Sequence, residues 1–175
     1  MKKQLSFFAV ILMMVASKAL FAQSDKAINA LAQSLRSHKS IEVSFTYQTS
    51  ESETPKEGKA YFQDAAYKII QEDQHAISDG KTTWHYIIEN EEVMVGNATD
   101  DDNPFKILDK LERDNTGITP VIDPKGNLKK LEIEVDEGVQ LILSISEMKF
   151  DQVYPDGFFS FDKEAHPNVE VIDMR

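Results

Sequence analysis

The residues of this chain best suited to acid–base or metal chemistry are four histidines, His38, His75, His85 and His166. None stands at the short spacings that place two imidazoles on one metal ion. His85 lies between Trp84 and Tyr86, and strand alternation points it to the face opposite those aromatics. It therefore reads as a solvated or sheet-face histidine rather than a ligand or a general base. The serines lack a Gly-x-Ser-x-Gly elbow, there is no cysteine to act as a nucleophile, and no glycine-rich loop could cradle a phosphate. Acidic residues are abundant, but abundance is not a catalytic pair. The run Asp100-Asp101-Asp102 lacks the alternate ligand spacing and the loop glycine of a calcium site, and reads instead as a helix start. No catalytic residue, metal or cofactor is expected, and the chain is not expected to be an enzyme.

Composition narrows the choice further. Met1-Lys2-Lys3, the apolar run Leu5 to Ala16 and small residues near Ala19 and Ala22 have the form of a secretory signal over residues 1–22. Cleavage after Ala19 and after Ala22 both fit. One domain is expected over 23–175. The absence of cysteine excludes disulfides and a lipid-modified N-terminus, so the expected mature protein is exported, soluble and held together by its core. Without Lys2, Lys3 and Lys18, 16 basic residues face 30 acidic ones, a net charge of −14. Such a surface repels nucleic acid and anionic lipid headgroups. Solubility accounts for it, and a basic partner protein is the sharper alternative. A monomer is expected.

The elements that would position any site are mostly strands. Ser24 to Ser37 predicts an amphipathic helix with Ala27, Ile28, Leu31, Ala32 and Leu35 on one stripe. Ile41, Val43, Phe45 and Tyr47 alternate with polar residues as a half-buried strand, and Thr49 to Glu57 is a loop. Short strands follow around Lys59 to Gln63, Ala66 to Gln71, Gln74 to Ser78 and Thr82 to Ile88, with another through Val93 and Val95. Asp64-Ala65, Glu72-Asp73 and Asp79-Gly80 are the turns between them. Asn103-Pro104 opens a second helix with Phe105, Leu108 and Leu111 on one face. Strands return at Ile118 to Ile122, Leu128 to Val135, Val139 to Ile145 and Met148 to Phe150, with a bulge expected near Ser146. Tyr154 to Gly157 turns the chain into Phe158, Phe159 and Phe161, and Val169 and Val171 form a last edge strand.

The sum is a mainly β fold of about ten to twelve strands with two helices, an antiparallel sheet curled around helices that close its concave side. Phe45, Tyr47, Phe62, Trp84, Tyr86, Ile88, Leu131, Ile133, Leu141, Leu143, Phe150 and Phe161 could all point inward, joined by Phe105 and Leu108 from the second helix. Such residues either fill a core or line a ligand cavity, since the same types do both.

Ser78 to Tyr86, S-D-G-K-T-T-W-H-Y, resembles the S-D-G-K-x-x-W-x-Y segment of the periplasmic lipoprotein carrier family, LolA, and E-N-E-E-V-M-V after it resembles that family's next strand. V-S-F-T-Y-Q from Val43, E-G-K-A-Y-F from Glu57, N-P-F-K-I-L from Asn103, G-N-L-K-K-L-E-I from Gly126, and F-S-F-D with H-P-N-V-E-V-I-D-M-R near the end match in order. The last is most similar to divergent carriers of Bacteroidetes-type bacteria. The resemblance implies an incomplete antiparallel β-barrel closed by helices over a hydrophobic cavity for lipoprotein acyl chains. It also implies two partners, an inner-membrane lipoprotein-releasing transporter and an outer-membrane acceptor. Where better-known members carry a basic residue and a proline, this chain has Asp64-Ala65-Ala66, so the latch or partner role of that arginine does not carry over. A binder of another lipid or amphiphile, and a ligand-free interaction or sensory domain, are the alternatives.

Overall fold

The computed structural model describes residues 24–52, 54–99 and 117–175. The export segment 1–22, and the second helix with Phe105 and Leu108, lie outside the described residues, as do the side chains of Ala27 and Ile28. One helix, α1 (Ser24–Arg36), precedes ten strands: β1 (Ser40–Thr49), β2 (Lys56–Gln63), β3 (Ala66–Gln71), β4 (Gln74–Ser78), β5 (Thr82–Ile87), β6 (Glu92–Asn97), β7 (Ile118–Ile122), β8 (Leu128–Asp136), β9 (Val139–Phe150) and β10 (Glu170–Asp173). They form one mainly β sheet in the order β10-β6-β5-β4-β3-β2-β1-β9-β8-β7. The sheet is open, because β10 and β7 end it without pairing to each other.

Most of the strands follow from local pattern. β1 alternates buried Ile41, Val43, Phe45 and Tyr47 with half-exposed polar residues, as period-two patterning requires of a strand with one apolar face. The Asp79-Gly80 turn works as the dipeptide suggests. Gly80 has φ +85°, a region open to glycine, and the Asp79 carboxylate accepts the Lys81 and Thr82 amides at 2.8 and 2.7 Å. The bulge expected near Ser146 is present. Ser44 pairs with Glu147 and Phe45 with Ile145, which leaves Ser146 as the extra residue, and its hydroxyl donates to the Ser44 carbonyl at 2.9 Å.

One expectation is corrected. The sheet is not wholly antiparallel, since β10 pairs with β6 in parallel, reached by a crossover from β9 that returns the chain in the same direction. Phe158, Phe159 and Phe161 form no strand. They lie in a run of turns, with hydrogen bonds from Phe158 N to Pro155 O and from Ser160 N to Gly157 O. Tyr154-Pro155-Asp156-Gly157 favours successive turns, and an extended segment does not form after it.

The sheet has a core on each face. Leu31, Ala32 and Leu35 of α1 join Ile41, Val43, Phe45, Tyr47, Ile133 and Leu141 in the larger one. Tyr86, Val93 and Val169 form the smaller one, with Trp84, Ile88 and Phe161 packed against it. Within the larger core, Gly58 stands opposite Phe45 on the neighbouring strand. A Cβ placed on Gly58 would sit 2.6 and 2.7 Å from Cζ and Cε2 of the Phe45 ring, so the ring fills the space that a side chain would need.

The helix-to-sheet junction is held by a polar clasp. Asp151, with φ +55°, accepts His38 Nδ1 at 2.9 Å and the Lys39 amide at 2.8 Å. The Ser40 hydroxyl donates to the Gln152 carbonyl at 2.7 Å, and the His38 ring stacks on Phe150 at 4.1 Å. The hydrogen bond from His38, then that from the Lys39 amide, holds the Asp151 carboxyl below its ordinary value.

Gly58→Ala should destabilise the fold by about 1–3 kcal/mol through overpacking, and Phe45→Leu should recover part of that loss in the double variant, measured as a urea-denaturation cycle. Because the folded-state value of Asp151 is depressed, its stabilisation is present above the unfolded carboxyl value of 3.8 and is lost as pH falls through the lower folded value. Asp151→Asn, which tolerates the same left-handed backbone, should lower Tm at pH 7 and flatten the acid limb of a Tm-against-pH series.

Candidate functional site

The register of the sheet assigns each expected site residue to a face, because directly paired residues in an antiparallel ladder point the same way. Phe150, Ile41, Phe62, Tyr67 and Ser78 form one row across β9, β1, β2, β3 and β4. Met148, Val43, Ala60, Ile69, Ala76, His85 and Met94 form the next, reaching β6. Ile145, Phe45, Gly58 and Gln71 make a third, and Leu131, Leu143, Tyr47 and Lys56 a fourth. Ile133 pairs with Leu141 beyond it. Eight of the expected site residues, Phe45, Tyr47, Phe62, Leu131, Ile133, Leu141, Leu143 and Phe150, therefore share the face on which α1 packs.

Trp84, Tyr86 and Ile88 do not join them, which corrects the expectation that they face the helix. Trp84 pairs with Ile77 and Tyr86 with His75, the opposite parity from His85 and Ala76. All three belong to the smaller core on the reverse face. There Tyr86 meets Phe161 at 5.3 Å and His166 at 5.0 Å, and His75 approaches edge-on at 5.6 Å. Segment 151–169 crosses this face as an aromatic strap. Tyr154 stacks on Phe158 at 4.5 Å, and Tyr61 meets Phe158 edge-on at 5.1 Å. The Lys68 ammonium lies 4.9 Å from the Phe158 ring centre and donates to the Phe158 carbonyl at 3.3 Å. Burial in this cluster lowers the Lys68 pKa, partly offset by Asp162.

The reverse face is thus covered by aromatic packing that leaves Trp84, Ile88 and Phe161 partly buried, and the helix-side face is not fully covered either. Phe62, Ile69, Leu131, Val135, Leu143, Ile145, Met148 and Phe150 pack against its core but remain only partly buried. Polar groups stand at one end of this face. Gln71 is 5% exposed, and its side-chain amide nitrogen has no hydrogen-bond acceptor. The Tyr47 hydroxyl is pushed up to about 12 by burial and then by the charge of Asp73, and Lys56 pairs with that aspartate at 3.5 Å. Sequence reasoning did not single out Gln71 or Ile69. Gln71 closes a predicted strand, and its burial comes from its neighbours in the sheet.

Among the described residues no group of three or more His, Cys, Asp or Glu side chains is placed to hold a metal. His85 lies opposite Trp84 and Tyr86, as alternation predicts, and because those aromatics face away from α1 it falls on the helix-side face, with Nε2 2.8 Å from Gln74 Oε1. Burial lowers the pKa of both His85 and His75, and His75 is lowered further by Lys68 and His166. A histidine depressed in the folded state leaves stability intact above its unfolded value of 6.5 and loses it as pH falls from there toward the folded value. Melting between pH 7.5 and pH 5 should show this loss, and a His75→Gln/His85→Gln double variant should show a shallower one.

No family model matches the chain, and no curated protein matches it. Among described helices none is long and apolar enough to cross a membrane. Among solved structures the chain is similar to an uncharacterized conserved protein from Thermus thermophilus, with a TM-score of 0.54 and 11% identity over 86% of this chain and 99% of that one, a likeness of fold.

Proposed function

We propose that the protein is a soluble periplasmic carrier that takes up the acyl chains of lipoproteins on the helix-side face of its sheet. It receives them from an inner-membrane lipoprotein-releasing transporter and passes them to an outer-membrane acceptor. The observation that carries this reading is the row of apolar side chains, among them Phe62, Leu131, Leu143 and Phe150, that pack against the larger core yet stay partly exposed. An acyl chain laid along them would gain about 0.8 kcal/mol for each buried CH₂. The ordered motifs that resemble the LolA family, the export-type N-terminus and the lack of cysteine support the same reading.

In this proposal the open sheet is an incomplete barrel, and α1, together with the helix expected after Asn103, closes it over the cargo. Opening then costs the apolar area that the helices uncover, so release needs a partner to offset it. The protein binds and transfers without bond chemistry, needs no cofactor and works as a monomer. Asp64 stands in the β2–β3 turn with φ +52°, and the latch role of a basic residue at that position is not carried into this proposal. The polar end at Gln71 and Lys56 also suits an amphiphile other than a lipoprotein, and the identity of the bound lipid separates the two.

Native mass spectrometry of protein purified from the periplasm should show an acyl-bearing molecule bound. Leu143→Arg should reduce that occupancy roughly tenfold, equivalent to about 1.4 kcal/mol, with the fold intact by circular dichroism. Depletion in cells should strand outer-membrane lipoproteins at the inner membrane. Protein that is consistently lipid-free, with lipoproteins correctly placed in its absence, would sink the proposal.

A further inference from the structure

The two ends of the sheet differ in chemistry. β7 carries Pro120 at its centre, and a proline has no N–H to offer an added strand, a common guard of exposed edges. β10 carries no proline. All four of its residues are exposed. Of the five large apolar side chains exposed among the described residues, three lie on or beside it: Val171 at 47%, Ile172 at 38% and Met174 at 63%.

The backbone of β10 is also poised for pairing. The Glu170 amide donates to Glu91 O and the Met174 amide to Val95 O, each at 2.8 Å. In a parallel ladder alternate residues direct both N–H and C=O to one neighbour. Even-numbered residues of β10 therefore bond to β6, and Val171 and Asp173 turn their N–H and C=O groups to the outer edge. Because side chains alternate across the strand, Val171 projects on one face and Ile172 on the other, so an added strand would cover apolar surface on both.

Charge selects the occupant. Glu170 is in register with Glu92 and bonds through its amide to the Glu91 carbonyl, so three glutamates neighbour one another along the backbone at the start of β10. The Asp173 carboxylate is engaged by Arg175, with Nε 2.9 Å from Oδ1 and Nη2 2.6 Å from Oδ2. A second copy of the chain would oppose one net charge of −11 to another, which disfavours self-pairing at this edge. We infer that β10 is a docking edge for an extended segment of a partner protein in which basic residues alternate with apolar ones, added as an eleventh strand beside Val171 and Asp173. Main-chain hydrogen bonds would supply affinity, and the flanking carboxylates would supply preference for the basic sequence. The inference rests on the edge alone and stands whether or not the protein carries lipid.

The test uses the full chain and blocked peptides KVKVKVK, KVKVPVK and EVEVEVE. The first should bind measurably by titration calorimetry at low salt and weaken with added salt. It should also slow hydrogen exchange at the Val171 and Asp173 amides. The second has the same charge but cannot pair at its proline, and should bind at least about tenfold more weakly, as should EVEVEVE. Val171→Pro removes one outward N–H without touching the bonds to β6 and should abolish the difference between the first two peptides. Val171→Lys, which leaves the backbone intact, should weaken KVKVKVK by repulsion if the proline variant loses β10. Equal binding of KVKVKVK and KVKVPVK, or protection at β7 instead of β10, overturns the proposal. A concentration-dependent dimer lost in both Val171 variants overturns it in favour of a second copy as the occupant.

Discussion

Ile41, Val43, Phe45 and Tyr47 point to one side of a strand that is hydrogen-bonded along both of its edges, to β2 and to β9. That double commitment propagates. Once the odd-numbered residues of β1 face α1, every paired strand has one allowed parity, since a slip of one residue would turn its apolar set to the wrong side. β9 meets the demand only because of its bulge. Leu141, Leu143 and Ile145 are odd-numbered whereas Met148 and Phe150 are even-numbered, and the extra residue at Ser146 puts both groups on the helix side. A regular β9 would leave Met148 and Phe150 on the face that carries Glu42 and Ser44.

The two faces are covered by different means. On the reverse face an irregular strap packs ring against ring, with Phe158, Phe161 and His166 seated on Tyr61 and Tyr86. Such contacts are short-range and directional, which suits a permanent closure. On the other face a single described helix contributes Leu31, Ala32 and Leu35. Aliphatic packing of this kind is less directional, and it leaves part of the apolar surface open.

Much of the fold was legible in the sequence because it is encoded locally. The alternation in β1, the Asp79-Gly80 turn, the Ser146 bulge and the limits of β3, β4 and β7 are written in neighbouring residues. The candidate site was legible in part. Eight apolar residues on one face were recognised, but Trp84 and Tyr86 were placed with them because alternation says only that those two share a face. Which face it is depends on the parity accumulated through the turns between β1 and β5, and no local pattern reports that. The parallel pairing of β10 was equally hidden, as E-V-I-D reads the same in either direction. The carrier reading drew on the order of several motifs rather than on any local chemistry.

β1 lies between a strand that follows it at once and a strand that ends at residue 150. The His38–Asp151 contact joins residues 113 positions apart. A nascent chain can build the β1-to-β6 meander early, but it cannot close the larger core until β9 has been made, because Leu141, Leu143 and Phe150 are missing from it. Contacts of such long separation carry the loop-closure entropy before they return any stabilisation, which delays closure of the larger core until β9 is present. The order of strands in this sheet therefore sets an order of folding, in which the first six strands can pair before the helix-side core is complete.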